Sequence, residues 1–114
     1  MKVIIAGGRD YKFTYRDKLY LDLHHHLIDE VVSGGASGAD EQGEEWARSK
    51  NIPVKIFPAD WKTHGRAAGP IRNREMAWYA DALIAFPGGR GTENMIKTAT
   101  KLGLQVSIFN EIPE

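Results

Sequence analysis

The stretch DALIAFPGGRGTENMIKTATKL, residues 81–102, carries the local signals that decide the fold. Its apolar run at residues 82–86 predicts a buried strand, Thr92 is a good helix N-cap, and Gly103 is a typical residue just past a helix end. Three glycines lie between strand and helix, within residues 88–91. Because glycine loses much conformational entropy on folding, such a cluster indicates either a tight turn or a loop whose backbone approaches a ligand.

The rest of the chain repeats this alternation of strand and helix. The expected strands are residues 2–6, 30–33, 54–57, 82–86 and 105–109, and the expected helices are residues 14–28, 38–50, 70–80 and 92–102. Strictly alternating elements with apolar strands favour a parallel sheet covered on both faces. Right-handed crossovers then predict one three-layer, Rossmann-like α/β domain over residues 1–114, with a five-stranded parallel sheet in the order 3-2-1-4-5.

Two sequence patterns predict where the first helix and the tryptophans pack. The helix expected over residues 14–28 carries apolar residues four apart, which is the pattern of one amphipathic stripe. Its members are Tyr15, Leu19, Leu23 and Leu27. Trp46 and Trp78 have helical spacing and apolar neighbours, so we expect them in the core or in an interface. The three tryptophans leave a homo-oligomer open as an expectation.

The composition excludes several classes of protein. The 114 residues are 42% hydrophobic and 26% charged, with 15 basic and 15 acidic residues and no cysteine. Disulfides and thiolate metal sites are therefore excluded, and a neutral chain makes a nucleic-acid partner unlikely. No apolar run approaches the roughly 18 residues of a membrane span, and no signal peptide is evident. We expect a cytoplasmic protein without a membrane partner.

The histidine triplet at residues 24–26 does not predict a metal site. Neighbouring residues on a helix point about 100° apart, so the three imidazoles cannot share one ligand face. Asp22 and His26 have the i,i+4 spacing, but two ligands are too few for a structural metal. We expect no metal and no cofactor.

The glycines are distributed asymmetrically along the predicted fold. Ten of the 12 glycines follow the carboxyl ends of strands, in four segments. These are Gly7 and Gly8; Gly34, Gly35 and Gly38; Gly65 and Gly69; and Gly88, Gly89 and Gly91. In a parallel sheet those ends share one edge, where open α/β folds bind ligands. Helix N-termini there offer unpaired N–H groups to a phosphate.

Basic residues cluster in the same segments. They are Arg9, Arg66, Arg72, Arg74 and Arg90, with Lys62 and His64. Arginine is a frequent phosphate ligand because its planar fork matches phosphate oxygens. A basic edge on a neutral protein favours a small phosphorylated molecule over a polymer.

Four motifs in this order resemble the SLOG superfamily over about residues 2–109. They are GGRD after the first strand, SGGASGAD after the second, GPIRNREM at a helix start, and FPGGRGT after the fourth. The chain is most similar to the small cpYpsA-related (YspA-type) branch, often found in bacteria and phages, and more distantly to LONELY GUY phosphoribohydrolases and DprA. The resemblance implies a Rossmannoid fold that binds nucleotides or nucleotide-derived signals.

The resemblance also implies site residues. The phosphate loop would be Gly88, Gly89, Arg90, Gly91 and Thr92, and the first loop Gly7, Gly8, Arg9 and Asp10. Gly34, Gly35, Gly38 and Asp40 match the second motif, and Arg72 and Asn73 match the RN pair of the third motif, GPIRNREM.

One departure bears on catalysis. The phosphoribohydrolase branch carries glutamates just after its PGGxGT motif, where a carboxylate can stabilise oxocarbenium character at the ribose. Here Asn94 and Met95 stand at those positions, and Glu93 comes one or two residues early. Glu93, Asp40 and Asp10 are weak catalytic candidates, so whether the chain is an enzyme stays open.

The longest connection, residues 58–69, has two interpretations. Long loops in compact domains are often functional, and Trp61 could stack on a base while Lys62 and His64 meet phosphate. Alternatively, Trp61 packs within its own loop.

These observations favour sensing or sequestration of a nucleotide or nucleotide-derived molecule. The alternative is a nucleotide hydrolase of the phosphoribohydrolase (N-glycosidase) type. A DprA-like single-stranded DNA binder is disfavoured by the neutral charge.

Overall fold

Five parallel strands form a single sheet in the order β3-β2-β1-β4-β5. The computed structural model describes residues 1–109. The strands are β1 (Lys2–Ala6), β2 (Glu30–Ser33), β3 (Val54–Ile56), β4 (Ala82–Ala85) and β5 (Gln105–Ile108). The helices are α1 (Tyr15–His24), α2 (Ala39–Ser49), α3 (Trp61–His64), α4 (Ala68–Tyr79) and α5 (Arg90–Lys101). Short 3₁₀ turns cover His25–Leu27 and Gly65–Ala67. The predicted α/β fold and strand order are confirmed.

The three central strands are buried on both faces, as their continuous apolar sequences require. In β1, Ile4 pairs with Val32 of β2 and Leu83 of β4, and all three side chains are almost fully buried. The edge strands β3 and β5 are partly exposed. The sheet therefore places the ends of β1, β2 and β4 side by side at the middle of one edge.

Two hydrophobic clusters hold helices against opposite faces of the sheet. On one face Leu21 of α1 and Trp46 of α2 pack with Ile5. On the other, Met76 of α4 and Met95 of α5 pack with Ile4. Burying a side chain of this size contributes about 1.5–3 kcal/mol to the stability of the fold. Because Ile4 and Ile5 point to opposite faces of β1, this burial favours helices on both sides of the sheet.

The predicted stripe of α1 does not face the core. Tyr15 and Leu23 are 81% and 64% exposed, while Leu21 is fully buried. The face of α1 that packs against the protein instead carries Leu21 and Asp17. The Asp17 carboxylate accepts hydrogen bonds from Tyr11 Oη (2.6 Å) and the Thr14 N–H (2.9 Å). Those bonds offset the cost of burying a charged group. The stripe is thus a surface feature.

Two other expectations need correction. Thr92 is not the N-cap of α5, because the Gly89 carbonyl already accepts the Glu93 N–H (3.0 Å) and the helix begins at Arg90. Helix α4 starts at Ala68, two residues before Pro70, which was expected at its first position. Trp46 lies in the core as expected, whereas Trp78 is 73% exposed, so an interface at Trp78 stays a prediction.

The remaining fold-level expectations stay predictions. No helix within residues 1–109 combines the length and apolar character needed to cross a bilayer. The same residues contain no group of three His, Asp or Glu side chains that could hold a metal ion. The compartment and the homo-oligomer stay predictions.

Candidate ligand cleft

The loops that follow β1, β2 and β4 meet at the carboxyl edge of the sheet. The central one, after β1, is hydrogen-bonded to both neighbours: the Gly8 N–H donates to the Pro87 carbonyl (2.8 Å), and the Gly8 carbonyl accepts the Ala39 N–H (3.1 Å). These bonds join the loop of β4 to the start of α2 through a single residue. The convergence expected from the sequence is therefore present.

Several of the glycines are required by packing between these loops. A Cβ on Gly7 would lie 2.7 Å from Ala39 Cβ, and one on Gly88 would collide with Thr92 Oγ1. Gly38 has φ +74° and faces the carbonyl oxygens of Gly8 and Arg9. Residues with a side chain rarely adopt that conformation. The fold itself thus explains these glycines.

Gly89 and Gly91 have no such explanation. A Cβ at either position would meet no atom within 4 Å, and neither residue has a positive φ. Gly91 is a helical residue of α5, where glycine is destabilising relative to alanine. Both residues line a cleft beside the loops. Their missing side chains leave the backbone of this loop open to the cleft.

The main cleft has a volume of about 610 Å³. Among the predicted glycines it is lined by Gly7, Gly8, Gly34, Gly89 and Gly91. The predicted side chains along it are Arg9, Asp40, Trp61, Arg72, Asn73 and Arg90, and Thr92 lies beside them. A smaller cleft of about 380 Å³ adjoins it and is lined by Gly35, among others.

The other predicted residues lie outside the main cleft. Asp10 and Gly38 line a separate groove near Tyr11. Gly88 lies against Thr92. Glu93 is exposed on α5 and does not line the main cleft.

The first turn of α5 presents free backbone donors to the main cleft. Within residues 1–109, the N–H groups of Arg90, Gly91 and Thr92 donate to no other residue. Gly89 has no side chain to cap them. The N-terminus of a 12-residue helix also carries a partial positive charge. This arrangement is suited to binding an anion.

A hydrogen-bond network from α4 links the loop after β2 to α5. Arg72 Nη1 donates to the Gly34 carbonyl (2.7 Å), and Arg72 Nε donates to Asn73 Oδ1 (3.1 Å). Asn73 Nδ2 in turn donates to Asn94 Oδ1 (3.0 Å) and to the Gly91 carbonyl (3.3 Å). Asn73 is therefore occupied by the protein, and it positions the cleft walls.

Asp40 is the only carboxylate that lines the main cleft within the described residues. Its side chain is almost fully buried, and Oδ2 accepts the Ala36 N–H (3.2 Å). Burial raises the pKa of Asp40 to about 6, despite the opposing effects of the Ala36 hydrogen bond and the Arg72 charge. Asn94 and Met95, at the positions where the resemblance places glutamates, also line the cleft.

Burial lowers the pKa of Arg72 from its usual value. The Asp40 charge raises that pKa and the Arg9 charge lowers it, so Arg9 and Arg72 are close enough to repel each other. Both arginines line the main cleft and the smaller cleft, and a bound anion would offset the repulsion between their charges.

Sequence reasoning missed a buried pair that supports the loop after β2. Ser33 Oγ donates to Glu44 Oε2 (2.6 Å) and accepts the Gly35 N–H (3.1 Å). It also missed cleft walls supplied by core residues, such as Ile5 and Met76. Ala36 also lines the cleft, and its place inside the SGGASGAD motif could have indicated it. No sequence pattern marks Ile5 or Met76 as cleft residues.

Residues 1–64 match the model of the family described as YspA, cpYpsA-related SLOG family. The matched range includes the loops after β1 and β2, with Arg9 and Asp40 of the cleft. The chain belongs to the YspA, cpYpsA-related SLOG family.

A curated relative is similar to this chain beyond residues 1–64. The Gene 61 protein of Mycobacterium phage D29 is 38% identical over 125 aligned positions, which cover 98% of each chain. No solved structure matches this chain significantly. SLOG membership suggests nucleotide-related binding or modification.

Proposed function

We propose that this protein binds a nucleotide or nucleotide-derived small molecule in the main cleft, and that it acts by sensing or sequestering that molecule. One observation carries the proposal: Gly89 and Gly91 line the cleft, and neither packing nor backbone conformation requires a glycine there. Their open backbone adjoins the free N–H groups at the start of α5. A phosphate fits these donors because no Cβ shields them.

The charges of the cleft support the same ligand class. Arg9 and Arg90 line it, and neither forms an ion pair within residues 1–109. Trp61 also lines this cleft and is 52% exposed, so part of its side chain is accessible to a base. Phosphate recognition by arginine and helix N–H groups, with an aromatic ring nearby, suits a nucleotide better than a sugar or an apolar molecule.

Gly89→Val tests the phosphate loop directly. The valine side chain would enter the cleft beside the free N–H groups, so we expect phosphate binding measured by isothermal titration calorimetry to fall at least tenfold. The protein should stay folded by circular dichroism, with a loss of about 1 kcal/mol because valine is a poorer N-cap than glycine. Normal binding by a folded variant would disprove the proposed loop function.

A hydrolase of the phosphoribohydrolase type is the second candidate. It is favoured by Asp40, because a carboxyl group with a pKa of about 6 inside the cleft is suited to proton transfer near neutral pH. Incubation of concentrated protein with nucleoside monophosphates should release free base if this candidate is correct, and Asp40→Asn should stop the release. No free base from any of the common nucleotides would eliminate it.

A further inference from the structure

We infer that the ligand carries at least two phosphate groups, of which the second lies at Arg9 and Arg72, where the main cleft joins the smaller cleft. This inference rests on the proposed function, because the first phosphate is the one at the start of α5. The inference narrows the class of ligand: the bound molecule contains a diphosphate and is not a nucleoside monophosphate.

The charge of the main cleft is too high for one phosphate. Its walls include four arginines, Arg9, Arg66, Arg72 and Arg90, against the single carboxylate of Asp40. None of the four arginines forms an ion pair with a carboxylate inside the described part of the chain. A terminal phosphate carries a charge of about −2 at most near neutral pH. It would therefore leave part of the positive charge of the four arginines without a counter-charge.

Arg9 and Arg72 supply the donors for a second phosphate. Both residues line the main cleft and the smaller cleft, so they mark the junction between the two. Arg9 makes no hydrogen bond within residues 1–109. Arg72 uses Nε and Nη1 for protein contacts, which leaves Nη2 without a partner among the described residues. Two adjacent guanidinium groups with unused N–H donors form a suitable site for one phosphate.

The two proposed anion positions lie in the same cleft, on loops that touch each other. Arg9 directly follows Gly8, and the Gly8 N–H donates to the carbonyl of Pro87, the residue just before the phosphate loop. A Cβ on Gly8 would lie 3.3 Å from Gly88 Cα, so the two loops touch. Arg9 and the start of α5 therefore extend from adjacent loops into one cleft, which is the arrangement that a diphosphate requires.

The smaller cleft can hold the group that is attached to the second phosphate. Its walls include Ile56, Pro58 and Ala59, and Ile56 is 42% exposed. Trp61 borders both clefts. A cleft with both polar and apolar walls beyond a pair of arginines has room either for a terminal phosphate with water behind it or for a second sugar and base.

Inorganic probes test the inference without knowledge of the base. Calorimetric titration at constant ionic strength should show that pyrophosphate binds the wild-type protein at least tenfold more tightly than phosphate. Arg9→Gln should bring that ratio close to one, because it lowers the affinity for pyrophosphate much more than the affinity for phosphate. Arg74→Gln is the matched control, since Arg74 is exposed on α4 and does not line the clefts; it should leave both affinities unchanged.

The outcomes separate this inference from the proposed function. Equal affinity for the two anions, or an equal loss of both in Arg9→Gln, would overturn the diphosphate inference while leaving the phosphate loop intact. If neither anion binds and Gly89→Val changes nothing, both proposals fail. Comparison of ADP with diadenosine diphosphate then distinguishes a terminal second phosphate from one that continues into the smaller cleft. A continuing ligand should lose affinity in Trp61→Ala more than ADP does.

Discussion

The guanidinium group of Arg72 lies directly over the backbone of Gly34 and donates a hydrogen bond to its carbonyl oxygen at 2.7 Å. A Cβ on Gly34 would lie 2.8 Å from Arg72 Cζ. This contact connects α4 to the loop after β2. It gives Arg72 a structural function in addition to any function in ligand binding.

Gly34→Ala should therefore displace Arg72. We expect a loss of about 1–3 kcal/mol in the free energy of unfolding, because the new methyl group overlaps the guanidinium. In an Arg72→Ala background the same substitution should cost much less, since the group it collides with is gone. Urea denaturation of the four proteins of this cycle measures the coupling. Equal costs in both backgrounds would show that the contact does not determine the need for glycine.

Arg72→Ala should weaken binding of a nucleotide more than binding of the matching nucleoside. The reason is that the lost charge acts on the phosphate, whereas the structural loss affects both ligands. Affinities for the pair, measured by calorimetry, give the two contributions separately. Equal losses would assign Arg72 a purely structural role.

Gly91→Ala should change stability and binding in opposite directions. Alanine is favoured over glycine within a helix, and a Cβ at this position meets no protein atom, so the unfolding free energy should rise by about 0.5 kcal/mol. The same methyl group partly covers the free N–H groups, so phosphate affinity should fall several-fold. Thermal unfolding and calorimetry on one sample provide both values. Unchanged binding would contradict the placement of phosphate at this turn.

Asp40 should make stability fall as the pH rises from about 4 to about 6. Its pKa is raised by burial to about 6, so the folded protein holds a proton that the unfolded chain has already lost in this interval. The stabilisation is fully present below about pH 4 and disappears as the pH passes 6, with a size of at most about 3 kcal/mol. Asp40→Asn should remove this dependence. Urea denaturation at pH 4, 5, 6 and 7 compares the two proteins.

Asp40 should affect anion binding in the same pH range. Ionisation places a negative charge in the cleft, so affinity for a phosphodiester, whose own charge is constant from pH 5 to 8, should decline through pH 6 in the wild-type protein. In Asp40→Asn the affinity should stay level over that range. A wild-type profile that is also level would mean that the carboxyl charge does not reach the bound anion.

Ser33→Ala should destabilise the loop after β2. It removes the hydroxyl that links the Gly35 N–H to the Glu44 carboxylate, and it leaves that buried carboxylate with fewer donors. The expected cost is about 1–3 kcal/mol. Ser33→Thr keeps the hydroxyl and serves as the control in the same denaturation series. Matching losses in the two variants would point to packing at this position and not to the hydrogen bonds.

The sequence was sufficient for the sheet but not for the placement of every helix. Strands β1 and β2 have the predicted bounds and β4 ends one residue early, because continuous apolar runs are a strong local signal. The face of α1 was unpredictable, since the burial of Asp17 depends on Tyr11 and Thr14 in the folded chain. The start of α5 was also unpredictable, because threonine is a common N-cap residue and Thr92 was the expected N-cap, whereas the N-cap in the structure is Gly89.

For the candidate site, the glycine motifs predicted the edge at which the loops converge but not the role of each glycine. Gly38 and Gly89 look alike in the sequence, yet Gly38 has a positive φ and touches two carbonyl groups, whereas Gly89 does neither. That difference depends on backbone angles and on neighbours from other loops. Asn73 was similarly expected to contact ligand, and only the structure shows its amide bonded to Asn94 and Arg72.

The unconstrained state of Gly89 and Gly91 has a practical consequence for engineering. Selection for thermal stability alone should favour alanine at position 91, because alanine stabilises a helix relative to glycine and no contact within the described residues opposes its Cβ. In a library that is screened only for melting temperature, the proposed phosphate binding should therefore be lost early, in variants that fold and express normally. A screen for improved variants needs a binding readout from its first round.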